Sequence, residues 1–184
     1  MQEDSMQHFA LTIIGRDRPG IVSQVTEILY QLGCNIADSS CSILGGQFSM
    51  ILLISNPAIA KIEDFGEAFS PLEQSNLSVF IRILKPGGEK RPDLEGELCM
   101  ISVYGADKPG IVYQVAKQLG DRQINITDLN TKLIGDDQQP IYVMMIEAIL
   151  PEGIDVEQVE NWMAELKREL QVDISVRSLV AMEL

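Results

Sequence analysis

Basic residues are the scarcest resource of this chain relative to their opposite. Fourteen lysines and arginines stand against 27 aspartates and glutamates, for a formal net charge of −13. The cations occur singly or as pairs such as Lys90-Arg91 and Lys167-Arg168, never as a stripe. Phosphate backbones are bound by clustered cations, so direct nucleic-acid binding is not expected. Long hydrophobic runs are absent too. Runs such as MILLI, Met50–Ile54, have strand length, far from the roughly 20 residues a bilayer crossing takes. The acidic, polar opening MQEDSMQHF has no apolar core of a signal peptide, and the expected location is the cytoplasm. Three cysteines, Cys34, Cys41 and Cys99, form no CxxC pair, and His8 is the single histidine. That leaves no zinc-ligand spacing, so no metal and no cofactor are expected, and buried reduced thiols are the simplest reading.

What is present is a duplication. GRDRPGIV (15–22) returns as GADKPGIV (105–112). At an offset of 90, Gly15, Asp17, Pro19, Gly20, Ile21, Val22, Gln24, Val25, Leu29, Asn35, Ile36 and Asp38 each meet an identical residue, half of the window 15–38. Agreement of that density at one register marks an internal repeat. The offset drifts to about 95 where Ile81-Arg82 matches Val176-Arg177, and a longer hairpin, LIGDDQQPIY against ILGGQF, is the expected place for the added residues.

Each copy reads as strand, turn, helix, strand, hairpin, strand, helix, strand. The expected elements are strands at about Phe9–Gly15 and Leu98–Gly105, then helices at about Pro19–Leu32 and Pro109–Arg122. Next come strands from Asn35 and Asn125, returning through about Phe48–Ser55 and Ile141–Leu150. A second helix carries Ile59, Ile62, Phe65 and Phe69 in one copy; Val156, Val159, Met163, Leu166 and Leu170 mark it in the other. Alternating strands close each unit, at Leu77–Ile83 and from Val172. This is an α+β fold of two ferredoxin-like β-α-β-β-α-β domains, residues 6–84 and 97–184, joined by a Gly-, Pro- and charge-rich linker at 85–96. The copies are expected to pack as a pseudo-dimer with their turns near a shared interface, and a homo-oligomer stays open.

Two readings of the repeated turn stand side by side. In one it is helix punctuation: Pro19 and Pro109 suit a first helical turn, and Asp17 and Asp107 cap the free amides. In the other, amides at Gly20, Ile21 and Gly110, Ile111 receive a carboxylate, with glycine letting a ligand approach the backbone. Asn35, Asp38, Asn125 and Asp128 are then expected close to the turn, accepting an ammonium. A small zwitterion meets both requirements. Catalytic chemistry finds little support: His8 precedes the first strand, Cys34 stands where the other copy has Ile124, and no phosphate-binding glycine motif occurs. No catalytic residues are expected, and the chain is not read as an enzyme.

The Asp-x-Pro-Gly-Ile-Val turn, the Gly-Cys-Asn-Ile and Gln-Ile-Asn-Ile strand starts and the element order resemble the ACT domain, over nearly the whole chain. A tandem pair without a catalytic domain is similar to the glycine cleavage system transcriptional repressor family; the turn alone also resembles regulatory parts of uridylyltransferases and formyltetrahydrofolate deformylases. The resemblance implies an amino-acid-responsive corepressor working through a DNA-binding regulator, with glycine or serine favoured as ligand. The alternatives are a ligand-free adaptor, or a regulatory subunit of an enzyme of amino-acid or one-carbon metabolism. By position, ligand contacts implied by the resemblance fall at Asp17 and Asp107, at the amides of Gly20-Ile21 and Gly110-Ile111, and at Asn35 and Asn125. Several serine-binding relatives carry asparagine where Asp17 and Asp107 stand; a carboxylate there favours an ammonium over a carboxylate. The copies also differ: Arg16, Ser23 and Thr26 become Ala106, Tyr113 and Ala116, while Ile28 and Leu32 become Gln118 and Arg122. Such changes fit either a retuned second site or an interaction surface.

Overall fold

The computed structural model describes residues 6–85, 96–135 and 140–179 and divides the chain into two compact units. The expected linker at 85–96 lies almost wholly outside the described residues. In the first unit, β1 (His8–Arg16), α1 (Ile21–Gln31), β2 (Asn35–Leu44), β3 (Gln47–Ser55), a 3-10 turn (Ile62–Phe65), α2 (Ser70–Gln74) and β4 (Leu77–Ile83) follow in order. The second holds β5 (Glu97–Gly105), α3 (Ile111–Gly120), β6 (Asn125–Ile134), β7 (Ile141–Leu150), α4 (Val156–Leu170) and β8 (Val172–Ser178). The sheets are ordered β2-β3-β1-β4 and β6-β7-β5-β8, with every neighbouring pair antiparallel. Each unit is thus the α+β, β-α-β-β-α-β arrangement that the sequence implies.

Period-two alternation builds the sheets. Phe9, Leu11 and Ile13 of β1 and Leu52 and Ile54 of β3 are fully buried on one face; Cys99, Ile101 and Val103 do the same in β5. Over that face lie helices with apolar residues four apart: Ile21, Val25 and Leu29 on α1, Ile111, Val115 and Leu119 on α3. The register also locates the added residues. Gly15 faces Phe48 while Gly105 faces Tyr142, so an offset of 90 on one strand has become 94 on the next. Most of the insertion therefore falls in the second hairpin, as expected.

The second helices depart from expectation in one unit only. In the second unit α4 is a full helix, opened by a capping box in which Gln158 N–H donates to Asp155 Oδ1 at 2.7 Å and Asp155 N–H to Gln158 Oε1 at 3.0 Å. It buries Val159, Met163, Leu166 and Leu170. In the first unit the helix expected from Ile59, Ile62, Phe65 and Phe69 is broken into a 3-10 turn and five residues of α2. Gly66 takes φ +53°, ψ −130°, outside the helical region, and Pro71 lacks the N–H a continuing helix needs. The aromatic rings recover the burial: Phe65 meets Phe9 edge-on at 5.1 Å between centroids and Phe69 at 5.7 Å.

The narrower apolar stripe of α3 has an internal explanation. Arg122 stacks its guanidinium 4.5 Å over the ring of Trp162 on α4. Where the first unit has no long second helix, Ile28 and Leu32 pack partly against the core instead. The cysteines also differ from expectation. Cys99 is buried and Cys34 half-buried, but Cys41 is exposed, because β2 is an edge strand beyond the cover of the helices. Burial, and then Glu97, push the Cys99 thiol up to about 11. His8 is half-buried as the first residue of β1. Among the described residues no helix is long and apolar enough to cross a membrane.

Candidate functional site

The repeated turn starts each helix with a glycine and not with a side-chain cap. Gly20 and Gly110, not the prolines, are the residues before the first helical position, at φ +90° and +95°. That left-handed backbone is what glycine supplies without a Cβ penalty. Pro19 and Pro109 sit one residue earlier, so they shape the turn rather than the helix. Neither helix has a side-chain cap and neither has an acidic residue in its first turn. The expectation that Asp17 and Asp107 cap these amides is therefore corrected: Asp17 is tied through its backbone, its N–H donating to the carbonyl of Gly46 at 2.9 Å. The first-turn hydroxyls do not cap either. Ser23 donates to the carbonyl of Gly20 at 2.9 Å and Thr26 to that of Val22 at 2.9 Å. The positive end of α1 faces outward with its amides uncovered by side chains.

Two features hold the turn in place. Gly15 near the end of β1 and Gly105 at the end of β5 lie where the last strand passes close by; a Cβ would lie 2.7 Å from Leu77 Cδ2 in one unit and 2.7 Å from Val172 Cγ1 in the other. The x of Asp-x-Pro-Gly is basic in both copies and reaches the far end of the second helix. Arg18 donates to Ser75 Oγ at 3.0 Å and to Gln24 Oε1 at 2.7 Å. Lys108 donates to the carbonyl of Leu170 at 3.1 Å and to Gln171 Oε1 at 3.0 Å. This anchor was readable from the shared positive charge at 18 and 108.

Beside the first turn lies a groove of about 810 Å³. Its lining runs from Asp17 through Pro19, Gly20 and Ile21 on the turn side to Cys41, Ser42 and Ile43 on β2, with Phe48 of β3. The walls are largely apolar and the helix terminus opens into them. Asp17 is an exposed carboxylate within the lining.

The expected strand partners are elsewhere. β2 and β1 both run antiparallel to β3, so they are parallel to each other, and α1 carries the chain back before β2 begins. Asn35 pairs with Ser55, which itself pairs with His8, at the opposite end of the sheet from Gly15 and Phe48. The eleven residues of α1 alone span roughly 16 Å. Asn35 and Asp38 therefore do not meet the turn within their unit, and Asn125 and Asp128 repeat that placement, Asn125 opposite Ile149. Each pair brackets a bulge, between Ile36 and Asp38 and between Ile126 and Asp128. Asp38 accepts the N–H of Ser39 at 2.8 Å. The β2 residues that do reach the groove, Cys41, Ser42 and Ile43, were not among the expected site residues.

In the second unit Asp107, Pro109, Gly110 and Ile111 hold the same turn, opposite Tyr142 instead of Phe48. Burial, and then the charge of Asp107, raise the Tyr142 phenol above its usual value, against a side-chain hydrogen bond with Thr131 that lowers it.

Comparison with known proteins places this geometry. The family model of the ACT domain matches residues 7–77. The glycine cleavage system transcriptional repressor of Escherichia coli is 29% identical over 177 residues, covering 94% of this chain and 90% of that protein. A UPF0237 protein of Methanococcus maripaludis is 37% identical over 79 residues, 42% of this chain and 84% of its own length. Among solved structures, a candidate glycine cleavage system transcriptional repressor matches 95% of this chain and 98% of its own, with a TM-score of 0.68 at 26% identity.

Proposed function

The chain belongs to the ACT-domain family, with the fold in tandem, and from that premise we propose an amino-acid-responsive regulator, not an enzyme, that takes its ligand at the groove beside Gly20. The observation carrying this reading is the uncapped start of α1, held open by a left-handed glycine and facing a groove lined by Asp17. In this reading the α-carboxylate lies on the amides of Ile21 and its neighbours, and the ammonium faces Asp17. Two or three charge-assisted hydrogen bonds of about 1.5–3 kcal/mol each give a gross interaction of roughly 3–9 kcal/mol. After ordering costs, a Kd between about micromolar and millimolar follows.

Glycine and serine are the first ligands in this reading, because the relative spanning the chain is a repressor of the glycine cleavage system. The output runs through a partner protein in the cytoplasm, a DNA-binding regulator, since a chain of net charge −13 repels phosphate backbones. Calorimetric titration of the full chain with glycine, serine and the other common amino acids tests this. Saturable binding in the stated range, weakened about tenfold or more in Gly20→Ala, is the expected result. A flat response across the panel refutes amino-acid sensing and leaves a ligand-free adaptor, or a regulatory subunit of a metabolic enzyme.

A further inference from the structure

The two units fold alike but carry different residues beside the repeated turn, and strand register allows these residues to be matched one by one. Phe48 faces Gly15 on one side and Ile43 on the other; Tyr142 faces Gly105 and Leu133 in the same way. Cys41 is opposite Met50 where Thr131 is opposite Met144. Both rings at the Phe48 and Tyr142 positions are buried, at 4% and 8% exposure. Phe48 ends at its ring and forms the floor of the first-unit groove. Tyr142 carries one hydroxyl more, at the register position between Gly105 beside the turn and Leu133 on β6, two residues along that strand from Thr131. In the first unit the counterparts of Thr131 and Asp107, Cys41 and Asp17, flank open space. The helix start differs as well: Ser23, small and turned back onto Gly20, is replaced by Tyr113, a large ring 66% exposed at the first turn of α3.

We propose that the chain takes a single amino acid, in the first-unit groove, and that the second unit fills the equivalent space with the hydroxyl of Tyr142 held by Thr131. The second turn is then a permanently self-occupied copy, with the carboxylate that would face a ligand ammonium already beside a phenol. The inference rests on the amino-acid reading of the first groove and assigns its stoichiometry and the residues that set it. Phe48 and Cys41 are specificity-determining by what they omit, and Tyr142, Thr131 and Tyr113 by what they add.

Equilibrium dialysis of the full chain against each of the twenty common amino acids in radiolabelled form reads the stoichiometry directly. One equivalent per chain at saturation is expected. Phe48→Tyr combined with Cys41→Thr, which installs the second unit's pair in the first, lowers affinity by about tenfold or more, the loss expected when one charge-assisted hydrogen bond is displaced. Tyr142→Phe combined with Tyr113→Ser opens a second site and raises the count to two; the milder Tyr142→Phe alone covers a failure of the double variant to fold. Two equal sites in the wild type overturn the inference while leaving amino-acid binding intact, and so does unchanged affinity in the first variant. A count still at one in a folded Tyr142→Phe, Tyr113→Ser chain overturns the role given to the tyrosines. Absence of binding by the wild type to any amino acid refutes the sensor reading itself and this inference with it.

Discussion

Gly20→Ala and Gly110→Ala form a matched pair that separates backbone strain from ligand contact. Both glycines sit in the left-handed region, at φ +90°, ψ −2° and φ +95°, ψ −7°. A Cβ at Gly20 meets only Ser23 Oγ, at 3.8 Å, and at Gly110 nothing within 4 Å. No clash contributes, so the penalty is conformational, roughly 1–2 kcal/mol for an L-residue in either position. In a domain of this size about 1 kcal/mol moves Tm by roughly 4–8 °C, so each variant is expected to melt about 4–16 °C lower, in its own unit. Thermal melts followed by circular dichroism, with urea titrations for the free energy, measure this. The ligand effect is expected to split the pair. A methyl at position 20 stands over the amides that receive the carboxylate and weakens binding by about tenfold or more, as loss of a charge-assisted hydrogen bond requires; at position 110 binding is unchanged. Wild-type stability in both variants would refute the turn geometry. Equal loss of binding in both would refute the assignment of the ligand to the first unit.

Gly15→Ala is expected to cost more than its exposure suggests, because its Cβ falls 2.8 Å from the backbone oxygen of Asn76 as well as against Leu77. β4 must shift, and a loss of about 1–3 kcal/mol in urea unfolding follows; a neutral variant would contradict the strand packing. Thiol labelling of the native chain is expected to modify exposed Cys41 first, Cys34 slowly and Cys99 only on unfolding, with amino acid slowing Cys41 because it lines the groove. Labelling of Cys99 at the rate of Cys41 would be incompatible with this core. Stability is also expected to fall in alkali. The folded thiol of Cys99 titrates near 11 against 9.0 for an unperturbed one, so between those values the unfolded state has lost a proton the folded state keeps. The contribution is complete below about pH 9 and lost by about pH 11, on the order of 1–2 kcal/mol after solvent screening, and Cys99→Ala makes the fall shallower, leaving the share of Cys34 and Tyr142, whose protons are also held more tightly in the fold. A slope over that window equal to wild type in Cys99→Ala would show another group responsible.

The repeat and the order of elements were legible because each is a local signal read twice, and α4 was legible from its own 3–4 apolar spacing. The broken helix of the first unit was not, since Ile59, Ile62, Phe65 and Phe69 carry helical spacing while Gly66 and Pro71, which break it, belong to the same stretch. The glycines of the candidate site were legible from the turn; its strand wall was not. A parallel β-α-β crossover returns the chain to the starting end of β1, so Asn35, which looks adjacent to the turn along the sequence, lies a helix length away. What reaches the groove is instead the late part of β2, where Cys41 was expected as a buried thiol and Ser42 and Ile43 carried no signal of their own. The tyrosine of the second unit stayed hidden because the hairpin insertion shifts the register between Phe48 and Tyr142.

The most direct test of the account follows backbone amides of the ¹⁵N-labelled full chain by heteronuclear correlation spectra while glycine, serine or the amino acid found by calorimetry is added. The account predicts saturable shifts concentrated at Gly20, Ile21, Val22 and Ser23 and along Cys41–Ile43, with Gly110, Ile111 and Val112 left in place. Shifts centred at Gly110 and Ile111, or spread without any focus at the start of α1, would contradict it.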